Sequence, residues 1–153
     1  VCREASGADE MRRAVRDLRA LAAGIHPTVL TDHGLAAAIE DLTADSPLPV
    51  SLDLVEERWP ADIEAAAYFV VAEALANVSK HARAESVIVR AAVVDGWMHA
   101  SVVDDGVGGA DPKGHGLRGL ADRVEALGGR LVVDIPAGGG TRVQAAIPLA
   151  LPT

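Results

Sequence analysis

Cysteine is nearly absent from this chain. The single Cys2 among 153 residues excludes an intramolecular disulfide and a cysteine-rich zinc site, and it fits a reducing cytoplasm. Aromatic residues contribute only 3%, so a core must be built from Val, Leu, Ile and Ala, in a chain that is 50% apolar. No apolar run approaches the roughly 20 residues of a membrane helix, and no signal-peptide pattern opens the chain. Basic residues are also short, with 14 Lys and Arg against 22 Asp and Glu and a formal net charge of −8. That balance argues against a non-specific nucleic-acid surface. It leaves room for a phosphate ligand, because backbone amides and a bound cation can hold phosphate on an acidic protein. The length suits one domain of ordinary size. A start at Val1, where Met is absent, leads us to expect a piece of a longer protein whose parent could be membrane-anchored.

What is present is strongly patterned. Met11, Val15, Leu18, Ala22 and Ile25 are spaced four, three, four, three, with Arg12, Arg13, Arg16 and Arg19 outside the seam. This reads either as a plain amphipathic helix or as the end of a dimerisation helix, and two heptads are too few to decide. Gly24-Ile25-His26-Pro27 stops it. Thr31 to Gly34 then leads into a short helix from Leu35 to Leu42, and Val50 to Val55 alternates like a strand. A long helix is expected after Trp59-Pro60. Ser86 to Val94 and Trp97 to Val103 form a hairpin around Asp95-Gly96. Leu117 to Leu127 reads as a helix ended by Gly128-Gly129, and Arg130 to Ile135 and Thr141 to Ile147 as a second hairpin. The expected fold is an α/β (α+β) two-layer sandwich, one mixed β-sheet with helices packed on one face.

Two segments carry the chemistry. From Ala61 to Ala82 there is no Gly or Pro, and the residues are mostly apolar. At roughly 100° per residue, Glu73, Asn77, Lys80 and His81 share an arc of about 100° on that helix. A helix apolar nearly all round is buried, and an unpaired buried polar group costs roughly 1–3 kcal/mol. The stripe is therefore either an internal pairing of Glu73 with Lys80 or Asn77, or the wall of a ligand cleft.

The second segment is Asp104-Asp105-Gly106-Val107-Gly108-Gly109. Alone it is an ordinary turn after a strand. Its carboxylate also suits an exocyclic amino group such as that of adenine, and its glycines allow close approach of a flat ring. Downstream, Gly114-His115-Gly116-Leu117 opens a helix from a glycine loop, which gathers free amides and the positive end of a helix dipole at one point. The spacing is neither a Walker motif nor a Rossmann fingerprint.

Taken in order, Glu73-xxx-Asn77-xx-Lys80-His81, Asp104-x-Gly106-x-Gly108, Gly114-x-Gly116-Leu117 and Gly139-Gly140-Thr141 resemble the GHKL (HATPase) ATP-binding domain. Within that group, Leu21 to Leu35 and Gly116 to Gly129 resemble the NarX/DesK/LiaS-type sensor histidine kinases of bacterial two-component systems. The resemblance runs from about Met11 to Pro148 and implies a Bergerat-type fold binding ATP with Mg²⁺. It implies that Asn77 offers oxygen to Mg²⁺ and that Glu73 orients a metal-bound water or Asn77. Lys80 would reach the phosphates, and His81 would lie beside ribose or adenine. Asp104 would bind the adenine amino group, Gly106 and Gly108 would admit the ring, and Thr141 would hold Asp104 or a nearby water. Gly109 to Gly114 would be a short lid, with Gly114, His115, Gly116 and Leu117 at the phosphates.

The resemblance also implies two parts: residues 1–26 as the end of a dimerisation helix with its linker, and 27–153 as the ATP-binding catalytic domain. Kinases of this kind phosphorylate a histidine followed by an acidic residue. The five histidines here precede Pro27, Gly34, Ala82, Ala100 and Gly116. The expected acceptor therefore lies on a dimerisation domain outside the fragment, with a response regulator as the next partner and no nucleic acid. The parent is expected to be a cytoplasmic or membrane-anchored homodimer, and the fragment a monomer. Two alternatives are an anti-sigma-factor-type serine kinase and a non-catalytic nucleotide-responsive interaction module.

Overall fold

The computed structural model describes residues 27–79, 83–106, 115–135 and 139–149, the side chains of 115 and 116 excepted. The heptad segment therefore lies outside the described residues. Pro27 caps a six-residue helix, α1 (Thr28–His33), where only a lead-in turn was expected. Gly34, at φ +94°, turns the chain into α2 (Leu35–Thr43), which buries Leu35, Ala38 and Ile39. Strand β1 (Val50–Leu54) follows, then the long helix α3 (Ala61–Asn77), started by Pro60. Strands β2 (Val87–Val94) and β3 (Trp97–Asp104) come next. They are joined by Asp95 and Gly96 at φ +52° and +79°, the two left-handed positions of the tight hairpin turn that Asp-Gly favours. Helix α4 (His115–Ala126), β4 (Arg130–Asp134) and β5 (Thr141–Pro148) complete the chain.

The strands form one mixed sheet in the order β1-β2-β3-β5-β4. β1 runs parallel to β2, as a crossover through α3 requires, and the other pairs are antiparallel. The alternation legible in the sequence is real. Val87, Val89 and Ala91, then Met98, Ala100 and Val102, then Val143, Ala145 and Ile147 form cross-strand rows buried beneath the helices. What alternation could not reveal is that β5 inserts between β3 and β4. This places Thr141 directly opposite Asp104.

Helix α3 is the centre of the second layer. It packs on β3 and β5 and is flanked by α2 and α4. Ile63, Ala65, Ala66, Ala67, Phe69, Val70, Val71 and Ala74 are all buried. So is Glu64, and this carboxylate is paired: Arg58 Nε donates to Oε2 and its NH2 group to Oε1, both at 3.2 Å. The same NH2 group donates to the Thr31 carbonyl at 3.1 Å, so one guanidinium stitches α1 to α3. Gly34 makes room for it, since a Cβ there would lie 2.6 Å from Arg58 Cδ.

Arg58→Ala should therefore cost stability well beyond an ordinary surface change. Removing one partner of a buried pair costs roughly 3–5 kcal/mol. Because the Arg58 side chain is half exposed while that of Glu64 is 3% exposed, we expect a loss of about 2–3 kcal/mol, toward the low end of that range or just below it. Urea denaturation showing a change under about 0.5 kcal/mol would remove the ion pair from the account of how α1 is held.

Candidate functional site

Glu73 and Asn77 sit one turn apart on the last turns of α3, both half-buried. Neither side chain takes a hydrogen bond from another described residue. The helix loosens into a π-type turn at Val78 and Ser79, immediately after Asn77. Such turns occur frequently at functional sites. An arc drawn at 100° per residue thus holds for Glu73 and Asn77. Lys80 and His81 lie outside the described residues.

Asp104 is the last residue of β3, on the helix-facing side of the sheet, and is 5% exposed. A buried carboxylate requires donors. Oδ1 accepts the Gly106 amide at 2.8 Å, while Oδ2 takes no hydrogen bond from a described residue. Thr141, 4% exposed, is its cross-strand partner, but no hydrogen bond joins the two side chains. The close approach comes instead from Gly140, at φ +83°: a Cβ there would collide with the Asp104 carbonyl oxygen. Gly139, at φ +92°, faces the Gly106 carbonyl. The Gly-Gly-Thr motif thus serves Asp104 through its backbone.

Sequence reasoning missed Asp105. Its side chain points away from that of Asp104 and is exposed, yet both of its oxygens are engaged. Oδ1 accepts the amides of Glu85 and Ser86 at 2.8 and 3.0 Å, and Oδ2 accepts the Ser86 hydroxyl at 3.0 Å. The Ser86 amide, then the Glu85 amide and the Ser86 hydroxyl, hold its pKa below the usual aspartate value. The stability this contributes is present above the unfolded-chain pKa and is lost as pH falls through the lower folded one. The Asp-Asp pair at a strand end was the available signal, because alternation sends the two side chains to opposite faces.

Helix α4 begins at His115, with no acidic residue in its first turn. Leu117 is buried in the core and fixes the helix start. Arg123 lies 4.9 Å over the Phe69 ring, linking α4 to α3 one turn before Glu73. Gly108, Gly114 and the 109–114 segment lie outside the described residues, as do the side chains of His115 and Gly116. Among the described residues no group of three or more His, Cys, Asp or Glu could hold a metal ion.

This fold is that of histidine-kinase ATP-binding domains. The structure of the histidine kinase domain of the blue-light activated kinase EL346 from Erythrobacter litoralis superposes with a TM-score of 0.60 at 27% identity, covering 74% of this chain and 57% of that one. In sequence, the oxygen sensor histidine kinase NreB of Staphylococcus carnosus is 32% identical over 150 residues, 91% of this chain and 43% of NreB. The sensor histidine kinase LiaS of Bacillus subtilis is 25% identical over 144 residues, 89% of this chain and 40% of LiaS. No protein-family model matches the chain. The chain is thus similar in sequence to sensor histidine kinases, and it spans less than half the length of the curated relatives it matches.

Gly140→Ala should be costly although it adds one methyl group. Left-handed backbone strain alone is worth roughly 1–3 kcal/mol, and the collision with the Asp104 carbonyl adds to it. Denaturation midpoints and nucleotide affinity should fall together. Unchanged values for both would mean that the Gly140 loop shifts freely.

Proposed function

We propose that this chain is the ATP-binding catalytic part of a sensor histidine kinase. Residues 27–153 form the nucleotide-binding unit, and 1–26 form the end of a dimerisation helix with its linker. The unit supplies the ATP γ-phosphate to a histidine on the dimerisation domain of the same protein, for relay to a response regulator. The observation that carries this reading is the buried Asp104 carboxylate, held by the Gly106 amide on one oxygen and backed by Gly140. Such a carboxylate suits the adenine amino group, which donates where the site can only accept.

The roles at the other end follow from residue chemistry. Asn77 offers a neutral oxygen to Mg²⁺, and Glu73, one turn earlier, orients a water or the Asn77 amide. Bound Mg²⁺ would neutralise phosphate charge during γ-phosphoryl transfer. Lys80, His81 and the Gly108 and Gly114–Leu117 segment complete the phosphate and ribose contacts in this reading. The proposed setting is the cytoplasm, within a parent that is itself cytoplasmic or membrane-anchored. Among the described residues no helix is long and apolar enough to cross a membrane. No observation favours the serine-kinase or the non-catalytic alternative.

Asp104→Ala tests the adenine contact. Loss of a charge-assisted hydrogen bond costs roughly 1.5–3 kcal/mol, so ADP binding should weaken about tenfold to a hundredfold. An unchanged affinity by calorimetry would sink the assignment. Asn77→Ala should instead abolish the Mg²⁺ dependence of ATP binding and leave metal-free binding of the adenosine part in place. If the variant kept its Mg²⁺ dependence, the metal would have to be held elsewhere.

A further inference from the structure

We propose that Asp105 is a positioning residue for the nucleotide site. Its carboxylate ties the segment leaving the Glu73–Asn77 helix to the strand end that presents Asp104. This inference rests on the nucleotide reading above.

The β2–β3 ladder ends at the Val87–Asp104 pair. Beyond that pair β3 can no longer supply acceptors, because the chain turns at Gly106, whose amide folds back onto Asp104. The amides of Glu85 and Ser86 would then face water. Asp105 supplies what the strand does not: three hydrogen bonds of 2.8, 3.0 and 3.0 Å, across 19 and 20 residues of sequence. Bonds from backbone amides to an ionised carboxylate are among the stronger kinds.

The placement matters because of what lies on either side. Glu85 comes eight positions after Asn77, so the tie anchors the chain a short way beyond the end of α3. On the other strand Asp105 directly follows Asp104. Adjacent carboxylates thus divide the work. Asp104 faces inward toward the base, while Asp105 faces outward and holds the peptide between them in one orientation. Loosening that peptide lets Asp104 swing, and the first property to suffer is discrimination between a base that donates at this position and one that accepts. Adenine presents an amino group there and guanine a carbonyl oxygen.

The test compares Asp105→Ala, Asp105→Asn and Ser86→Ala with the unaltered chain, each shown to be folded by circular dichroism. Affinities for ADP and GDP are measured by calorimetry. Asp105→Ala should weaken ADP binding about tenfold while GDP changes little, so the ADP-to-GDP preference falls. Asp105→Asn keeps an Oδ1 acceptor for both amides and can donate to the Ser86 hydroxyl, so it should recover most of what Ala loses. Ser86→Ala removes one bond of the three and should give a smaller loss in the same direction; if Asp105→Ala fails to fold, Asn and Ser86→Ala carry the comparison. Amide exchange at Glu85 and Ser86 should quicken in Asp105→Ala with no nucleotide present.

An Asp105→Ala chain with an unaltered ADP-to-GDP ratio would overturn the proposal. So would an Asn variant as impaired as Ala, because the charge and not the tie would then be what matters. An unaltered ratio for both Asn and Ser86→Ala supports the proposal only alongside a fallen ratio for a folded Ala chain; where Ala does not fold, an unaltered ratio for Ser86→Ala overturns it. If the unaltered chain binds neither nucleotide, the nucleotide reading itself has failed, and the positioning role falls with it.

Discussion

The burial of α3 on almost every side is the constraint on which the rest of this structure depends. A helix with Ala65, Ala66, Ala67, Val70 and Val71 buried has no broad face to give to solvent. It must be enclosed by the sheet on one side and by neighbouring helices on the others. Small residues at 65, 66 and 67 let it sit close. Every polar group it carries then has to be accounted for. Glu64 is answered by Arg58 near the N-terminal end of the helix. Glu73 and Asn77 are not answered by any described side chain, and they sit at the end where the helical winding changes. The same enclosure that stabilises the fold thus leaves these two polar side chains at one end of α3, the end proposed above for the ligand.

Four acidic side chains show how environment divides one chemistry into several tasks. Glu64 is buried and paired, so its charge holds helices together. Asp104 is buried with a backbone donor on one oxygen, so its remaining acceptor capacity is suited to recognition. Asp105, its neighbour, is exposed and spends both oxygens on the chain itself. Glu73 is half-buried one turn from Asn77, with no hydrogen bond to a described side chain. None of these distinctions follows from the residue type. Each follows from which face of a strand or helix the residue occupies and from what the opposite element offers.

Much of the fold was legible before any coordinates. Strand alternation, the Asp95-Gly96 turn, the proline before α3 and the glycines after α4 each act over a few residues, and the strands, α2 and α4 lie within one or two residues of their expected bounds, while α3 ends at Asn77, short of the expected stretch to Ala82. Helix α1 was not foreseen, because six residues between Pro27 and Gly34 are too few to show a period. The Arg58–Glu64 pair was equally hidden: Trp59-Pro60 separates the two residues, so no helical spacing relates them. At the proposed site, Glu73, Asn77 and Asp104 stand out in the sequence because each breaks an apolar pattern. Asp105 was passed over because an Asp before a Gly looks like any turn.

The residue pattern alone carries the local vocabulary: which stretches wind, which extend, which polar residues stand where apolar ones are expected, and that the motifs follow the order seen in a kinase family. Periodicity and turn chemistry are short-range, so they can be read along the chain. Long-range packing sets the rest: β5 lies between β3 and β4, bringing Gly140 and Thr141 against Asp104, and Asp105 reaches back to Ser86. Those contacts join residues 19 to 37 positions apart. Such partners are chosen by the packing of the whole sheet and helix layer, and nothing in the residues between them specifies the choice.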